Sequence, residues 1–193
     1  MLRKMRGFTL IEMLIVVAII GILAALLIPN AMSALQKAKQ KGTIKDINTI
    51  ATGLMDYVTD KGGFYGEAVK GGQLTQGDGF IKSIEGFYLK VFPATDQWGH
   101  YFYVYTGAQS TEASKFGLQI QTPPDDEFII ASSGRNEDTN DNEYDPTDPS
   151  SGLYEVAGMK DFDKEIVNWN GSMVIGPRAA LAAAAGGTGT GTE

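Results

Sequence analysis

The stretch RGFTLIEMLIVVAIIGILAALLIP, residues 6–29, decides the fold class of this chain. From Phe8 to Ile28 it is apolar except for Thr9 and Glu12. With a rise of about 1.5 Å per residue, a helix of this length would span roughly 31 Å, the thickness of a bilayer core. The basic side chains at its start are Arg3, Lys4 and Arg6. Because basic residues stay on the cytoplasmic side, we predict a transmembrane helix that enters with its N-terminus inside.

A secretory signal peptide is the competing interpretation, because it also joins a basic start to an apolar run. The run is long for that role, and a signal peptide has no use for the carboxylate of Glu12. No small-residue cleavage motif follows the run, which continues directly into Pro29 and a helical pattern. These features favour a retained helix.

The composition of the whole chain excludes several classes of function. Its 193 residues and 43% apolar content allow one core of ordinary size. The formal charge of −7 argues against the binding of nucleic acid. There is no cysteine and only one histidine, which excludes thiol chemistry, disulfides and a histidine metal cluster. The sequence also lacks a phosphate-binding loop motif, and we predict a protein that is not an enzyme.

The segment GFTLIE, Gly7 to Glu12, followed by the apolar run and Pro29, resembles the start of the type IV pilin superfamily. This superfamily includes the type IV pilins and the pseudopilins of type II secretion. The resemblance implies that a prepilin peptidase cuts after Gly7 and removes residues 1–7 as a leader. It also implies N-methylation of the new amine of Phe8.

Glu12 is the residue for which the resemblance implies the most specific role. A lone carboxylate in hydrocarbon costs on the order of 3 kcal/mol or more, so it needs a partner. The resemblance implies that Glu12 meets the Phe8 amine of a neighbouring subunit during filament assembly, where a buried charge pair fixes the register between helices. A carboxylate that only snorkels to the lipid headgroups is the alternative, since Glu12 lies near the start of the helix.

Pro29 lies inside a helical pattern and should kink or loosen the helix, because it removes one backbone hydrogen bond. The resemblance implies lost helical order between Gly21 and Pro29 in filaments, and a simple bend is the alternative. Residues 8–29 are then a transmembrane and polymerisation helix. From residue 30 to 61 apolar residues recur at helical spacing, which predicts an amphipathic helix that ends at Gly62-Gly63.

Residues 62–175 are expected to form a globular head. Glycine-rich sequence from Gly62 to Gly86 predicts a loop with a short helix near Gly79 to Ile84. Four apolar runs with short connections predict strands that pair in antiparallel fashion: 87–92, 101–106, 116–121 and 127–132. The predicted fold class is α+β, with a long N-terminal helix packed on a small antiparallel sheet, as in the pilin fold.

Three stretches of the head are similar to segments of the G-type major pseudopilins of type II secretion: DQWGHYFY (Asp96 to Tyr103), FIIASSGRN (Phe128 to Asn136) and DKEIVNW (Asp163 to Trp169). In those proteins the last two stretches frame a calcium loop. The resemblance therefore implies calcium as a cofactor. The residues at the corresponding positions are Asn136, Asp138, Asp163 and Glu165.

An acidic segment, NEDTNDNEYDPTDPSSG (136–152), lies between these last two stretches. Its carboxylates and amides are ligands that suit a hard cation. However, Asn136 and Glu165 stand where the family has aspartate, and the family's glycine-rich link is absent. A solvated acidic loop without calcium is the alternative. His100 is expected to be a strand-edge or loop residue and not a ligand or base.

Together these features predict a structural subunit that forms a helical homopolymer, most similar to the major pseudopilin of type II secretion. A subunit of a surface type IV pilus, for adhesion, twitching or DNA uptake, is the alternative. The implied partners are the prepilin peptidase, an inner-membrane assembly platform, minor pilins or pseudopilins, and membrane lipid before assembly. The implied location is the bacterial inner membrane with a periplasmic head, and then a periplasmic or extracellular filament. The Ala/Gly/Thr-rich tail, 176–193, is expected to be flexible.

Overall fold

A computed structural model of the chain describes residues 8–139 and 144–178. The expected leader, the centre of the acidic segment and the expected tail beyond Arg178 lie outside the described residues. The chain divides into two compact units, residues 1–36 and residues 37–193. Each unit is considered by itself below.

The first helix, α1, runs from Leu10 to Lys61 and contributes to both units. It ends where the sequence predicts, because Gly62 adopts a left-handed conformation with φ of 75°. Glycine takes up this conformation without the steric penalty of a side chain, which makes it the preferred residue after a helix C-terminus. The Gly62 N–H still donates to the Val58 carbonyl at 2.7 Å.

In the first unit, the described part of α1 exposes its apolar side chains almost throughout. The helix is long and apolar enough to cross a membrane. The chain remains helical on both sides of Pro29 in this single subunit, and the loss of helical order in filaments stays a prediction. The neighbouring Asn30 side chain donates to the Leu26 carbonyl at 3.3 Å, one turn earlier.

The second unit contains the rest of α1, a short helix and a six-stranded sheet. The short helix α2, Gly79–Ile84, lies where the sequence predicts it. The strands in chain order are β1 (Gly71–Gln73), β2 (Tyr103–Thr106), β3 (Phe128–Ser132), β4 (Leu153–Tyr154), β5 (Ile166–Trp169) and β6 (Ser172–Pro177). In space the order is β1-β2-β3-β5-β6-β4, and every pair is antiparallel except β4 with β6.

The central strand β3 shows why the sheet is stable. All five of its residues are buried, and successive side chains point to opposite faces. Phe128 and Ile130 join the cluster that includes Ile47 of α1, whereas Ile129 and Ala131 join a second cluster on the other face. The sheet is therefore covered on both faces, which accounts for the continuous apolar run. The predicted α+β class is confirmed.

The predicted strands at 101–106 and 127–132 are confirmed in β2 and β3, but the one at 87–92 is wrong. Residues 87–92 form turns, in which the Gly86 N–H donates to the Leu89 carbonyl at 2.6 Å. Leu89 packs closely on α1, because a Cβ added to Gly53 would lie 2.5 Å from Leu89 Cγ. Tyr88 and Leu89 of this run contact the helix, whereas Phe87 and Val91 are exposed.

The predicted strand at 116–121 is also wrong. Phe116 ends a 3-10 helix, Gly107–Phe116, and Gly117 caps it with φ of 72°. Phe116 and Leu118 are both fully buried, which explains the apolar signal in the sequence. Burial and strand pairing are separate requirements, and this segment meets only the first.

Four of the strands were not anticipated. The first of them, β1, consists of Gly71, Gly72 and Gln73, which have low strand propensity. It pairs with β2, opposite Tyr103 to Tyr105, and this non-local pairing gives it its conformation. The other three unanticipated strands are β4, β5 and β6.

Burial predicts which apolar residues of the second unit stabilise it. Ile47 is fully buried, so Ile47→Ala should lower the free energy of unfolding by about 3 kcal/mol. Val91 is 68% exposed, so Val91→Ala should change it by less than about 0.5 kcal/mol. Denaturant unfolding of the detergent-solubilised chain, followed by tryptophan fluorescence, measures both. Equal losses for the two variants would place Val91 in the core.

Candidate functional site

The first candidate site is the start of α1, where Thr9 precedes the first helical residue. The Thr9 N–H and the Thr9 hydroxyl both donate to Glu12 Oε2 at 2.8 Å. The Glu12 N–H donates in return to Thr9 Oγ1 at 3.3 Å. This reciprocal pattern is a capping box, which satisfies backbone N–H groups that a helix start leaves without partners. Glu12 therefore has a role within its own subunit that the sequence interpretation missed.

The capping geometry leaves part of Glu12 available for a second interaction. Both hydrogen bonds from Thr9 go to Oε2, and Oε1 takes no part in them. Phe8, whose amine is the expected partner, is 76% exposed. The cap fixes the carboxylate at the first turn, close to the chain end where that amine would lie. Gly7, the expected cleavage residue, lies outside the described residues.

The second candidate site is a polar cluster in the head around Asp96, in the DQWGH stretch. Asp96 is only 5% exposed, and its carboxylate accepts three hydrogen bonds. The donors are the Trp98 N–H (2.9 Å), the His100 N–H (3.0 Å) and the Ser132 hydroxyl (2.7 Å). Asp96 thus joins its own loop to the end of β3.

The same loop is also fastened to α1. The Gln97 N–H donates to Thr43 Oγ1 at 3.2 Å, and its side-chain amide donates to Asp46 Oδ2 at 2.7 Å. A Cβ on Gly42 would lie 2.8 Å from Gln97 Cγ, so the loop crosses the helix at a residue without a side chain. The loop therefore joins the helix to the sheet through side-chain contacts.

His100 lies in this loop, as expected. Its Nδ1 lies 2.9 Å from the Gly134 carbonyl oxygen, which can only accept, so Nδ1 carries the proton. The Gly134 N–H in turn donates to the Ser132 hydroxyl at 3.2 Å. His100 thus holds the turn that follows β3.

The four expected calcium ligands do not form a shared site in the part of the chain that the structure describes. The Asn136 side chain accepts from the Asp138 N–H at 3.1 Å, Asp163 pairs with Arg135, and Glu165 is fully buried. Within residues 8–139 and 144–178, no three His, Asp or Glu side chains are grouped so that they hold a metal. The described donors therefore do not fit a calcium cage, and calcium binding stays a prediction.

Asp161, close to the expected ligands, is also engaged by the protein. Its Oδ2 accepts from the Gly158 N–H at 2.8 Å and from the Ala157 N–H at 2.9 Å. The hydrogen bond from Gly158 is the main reason that the pKa of Asp161 lies below its usual value. The Lys164 ammonium, 3.4 Å away, acts in the same direction. Asp161 stabilises the turn before β5.

A cleft of about 430 Å³ lies in the second unit between α1 and the end of β6. The charged residues in its lining are Lys37, Lys41, Arg178 and Glu155. Ile44 and Val156 contribute apolar surface beside them. The described lining contains no serine, threonine, cysteine or histidine that would act as a nucleophile or a base. Its net positive charge suits an anionic group.

Comparison with known proteins bears on the first of these sites. The family model for the prokaryotic N-terminal methylation motif matches residues 2–28. The N-terminal segment is type IV pilin-like. The match includes Gly7, Phe8 and Glu12, and it covers the apolar run as far as Ile28.

Several curated relatives share this N-terminal region and carry one name. The chain is 42% identical over 57 residues to the type II secretion system core protein G of Escherichia coli K12. It is 48% identical over 58 residues to the same-named protein of Pseudomonas aeruginosa. These matches cover 30% of this chain and 39% and 41% of the relatives, so the chain spans about two fifths of their length. No solved structure matches the chain.

The sequence analysis missed two contacts, the Thr9–Glu12 cap and the Arg135–Asp163 pair. A local sequence signal exists for the first of them. Thr9 and Glu12 have the T-x-x-E spacing of a capping box just before an apolar run, which is a recognised signature of a helix start. Arg135 pairs with a residue 28 positions away, and no local pattern indicates such a pairing.

The hydrogen bonds of Asp96 predict a ranking of stabilities. Asp96→Ala should lower the free energy of unfolding by about 3 kcal/mol, because one buried and two partly buried donors lose their acceptor. Ser132→Ala removes one of these donors and should cost about 1 kcal/mol. Asp126→Ala, at an exposed position, is the control with little effect. Denaturant titration gives the three values, and an Asp96 variant as stable as the Asp126 variant would contradict the assigned role.

Proposed function

We propose that this chain is a structural subunit that polymerises through its N-terminal helix into a pilin-like filament, as the major pseudopilin of a type II secretion system. The observation that carries the proposal is the methylation motif at residues 2–28 on an exposed apolar helix. The relatives named type II secretion system core protein G support the choice of system. In this role the chain acts by assembly and not as an enzyme.

The helix explains why assembly is favourable. The apolar side chains of the first unit are exposed in the isolated chain, so they need lipid or another protein around them. Before assembly the bilayer supplies this environment, and afterwards the helices of neighbouring subunits do. The same helix therefore serves first as a membrane anchor and then as the core of the filament.

The chemistry at the N-terminus follows from the same proposal. A prepilin peptidase cuts after Gly7, and the new amine of Phe8 is methylated. Glu12 Oε2 remains with Thr9, and Oε1 accepts from the Phe8 amine of a neighbouring subunit. A charge pair in the dry core of a filament is strongly attractive and sets the axial register of each added subunit.

The location and the partners follow from the direction of insertion. Basic residues before the helix place the N-terminus in the cytoplasm and the head in the periplasm. The subunit then meets the inner-membrane assembly platform, minor pseudopilins and further copies of itself. A surface type IV pilus remains the second candidate, since its subunits would begin with the same kind of helix.

Substitutions at Glu12 and Thr9 separate the charge pair from the helix cap. Glu12→Gln keeps a side chain able to complete the cap but loses the charge, and Glu12→Ala loses both. We expect both to reduce filament yield by at least about tenfold, since 1.4 kcal/mol of lost association is already about tenfold. Thr9→Val should cost less, since a cap is worth about 1 kcal/mol. Sheared filaments counted by electron microscopy provide the measurement.

The control for these variants is Glu112→Gln, which removes an exposed carboxylate from the head. It should assemble like the unchanged chain. Normal filaments from Glu12→Gln together with a severe defect in Thr9→Val would show that Glu12 acts only as a cap. Membrane insertion, measured by fractionation, should be equal in all variants.

Deletion of the gene distinguishes the two candidate systems. If the chain is a pseudopilin, secreted enzymes should accumulate in the periplasm of the deletion strain and be exported again on complementation. Long extracellular fibres at native expression, with unchanged export in the deletion strain, would instead identify a surface pilus. Enzyme activity in culture medium and in periplasmic extract, together with electron microscopy of whole cells, provides both observations.

A further inference from the structure

Two segments of the head meet at the edge of the sheet, and their contact is made by protein groups. The first segment, Gly134 and Arg135, follows β3, and the second, Phe162 and Asp163, precedes β5. The Arg135 N–H donates to the Phe162 carbonyl at 2.9 Å. The Arg135 side chain donates through Nε to Asp163 Oδ1 at 2.7 Å and through Nη2 to Asp163 Oδ2 at 3.0 Å. Such a two-bond pairing fixes orientation as well as distance.

The backbones of the two segments approach each other so closely that only glycine fits at one position. Gly134 has φ of 72°, and a Cβ added to it would lie 2.6 Å from the Asp163 carbonyl oxygen. Carbonyl oxygens of Asp163 and Lys164 therefore face the turn at short range. A positive charge beside this concentration of oxygen atoms is electrostatically favourable.

The cation present at this place is a guanidinium. The carboxylate of Asp163 is engaged by Arg135 through both of its oxygens. Asp161 is engaged by two backbone N–H groups and faces Lys164. In the described ranges, 8–139 and 144–178, there is no grouping of three His, Asp or Glu side chains that suits a metal.

We propose that the Arg135 guanidinium takes the place of a bound divalent cation in joining the segment after β3 to the segment before β5. A guanidinium matches the planar carboxylate in geometry and is charged at every physiological pH. The fold of the head then does not depend on calcium, although an acidic segment lies beside this junction. This inference concerns the head alone and does not rest on the proposed filament.

The test uses the full chain in detergent, with thermal unfolding followed by tryptophan fluorescence. The unchanged protein is measured with millimolar calcium and with an excess of the chelator EGTA. The variants are Arg135→Gln, Asp163→Asn and the double variant. Arg178→Gln is the matched control, because it removes an exposed arginine of the same unit whose Nε lies 3.4 Å from the Leu153 carbonyl.

We expect the same Tm with calcium and with EGTA. Arg135→Gln should lower Tm by about 2–4 °C, the shift expected when a chain of this length loses one stabilising side-chain pair. Asp163→Asn should cost a similar amount, and the double variant should lose no more than either single variant, because the two residues act as one pair. Arg178→Gln should shift Tm by less than about 1 °C.

Three results would overturn the inference. One is a calcium-dependent rise in the Tm of the unchanged protein, the second is equal shifts for Arg135→Gln and Arg178→Gln, and the third is simple addition of the two single shifts in the double variant. None of these results involves filament assembly, so each would leave the proposed function untouched. Loss of filaments in the Glu12 variants would equally leave this inference unaffected.

Discussion

The hydrophobic effect acting on the first unit is the constraint on which the rest of the account depends. The described residues of this unit form an apolar helix whose side chains are exposed, and water is an unfavourable solvent for such a surface. A helix satisfies its own backbone hydrogen bonds and therefore tolerates lipid. Between Phe8 and Ile28 the polar side chains are Thr9 and Glu12, which cap each other at the first turn. Insertion in a membrane and later burial among equivalent helices, as proposed above, would both remove this surface from water.

In the second unit, by contrast, most apolar residues are buried in two clusters, one on each face of the sheet. Its sheet is covered on both faces, by α1 on one side and by a 3-10 helix and loops on the other. Polar contacts then hold the connecting loops in place. Asp96 joins its loop to β3, Gln97 joins the same loop to α1, and Arg135 joins the segments that flank β3 and β5.

The sequence predicted those features that depend on local pattern. The apolar run, the periodicity of residues 44 to 58 and the glycines at 62 and 63 determine α1, and its observed end agrees with them. The strands β2 and β3 were recognised because their residues are apolar and β-branched or aromatic. Residues 87–92 and 116–121 are also rich in apolar residues but form no strand, and only some of these residues, such as Leu89, Phe116 and Leu118, pack against other elements. Local composition indicates burial, and it does not reveal the partner.

The polar contacts were harder to predict, because their partners are distant in the sequence. The pairing of Arg135 with Asp163 depends on the approach of β3 to β5, which only the folded chain supplies. The resemblance to the pseudopilins implied a calcium site in this region, which stays a prediction, and the structure shows a pairing of Arg135 with Asp163 there.

The mass of the N-terminal peptide of the native protein tests the central claim most directly. If the chain is a processed pilin-like subunit, tandem mass spectrometry of the protein from its own host should find a mature chain that begins at Phe8 and carries one methyl group on its α-amine. A mature protein that retains residues 1–7, or that begins after Pro29, would contradict the account.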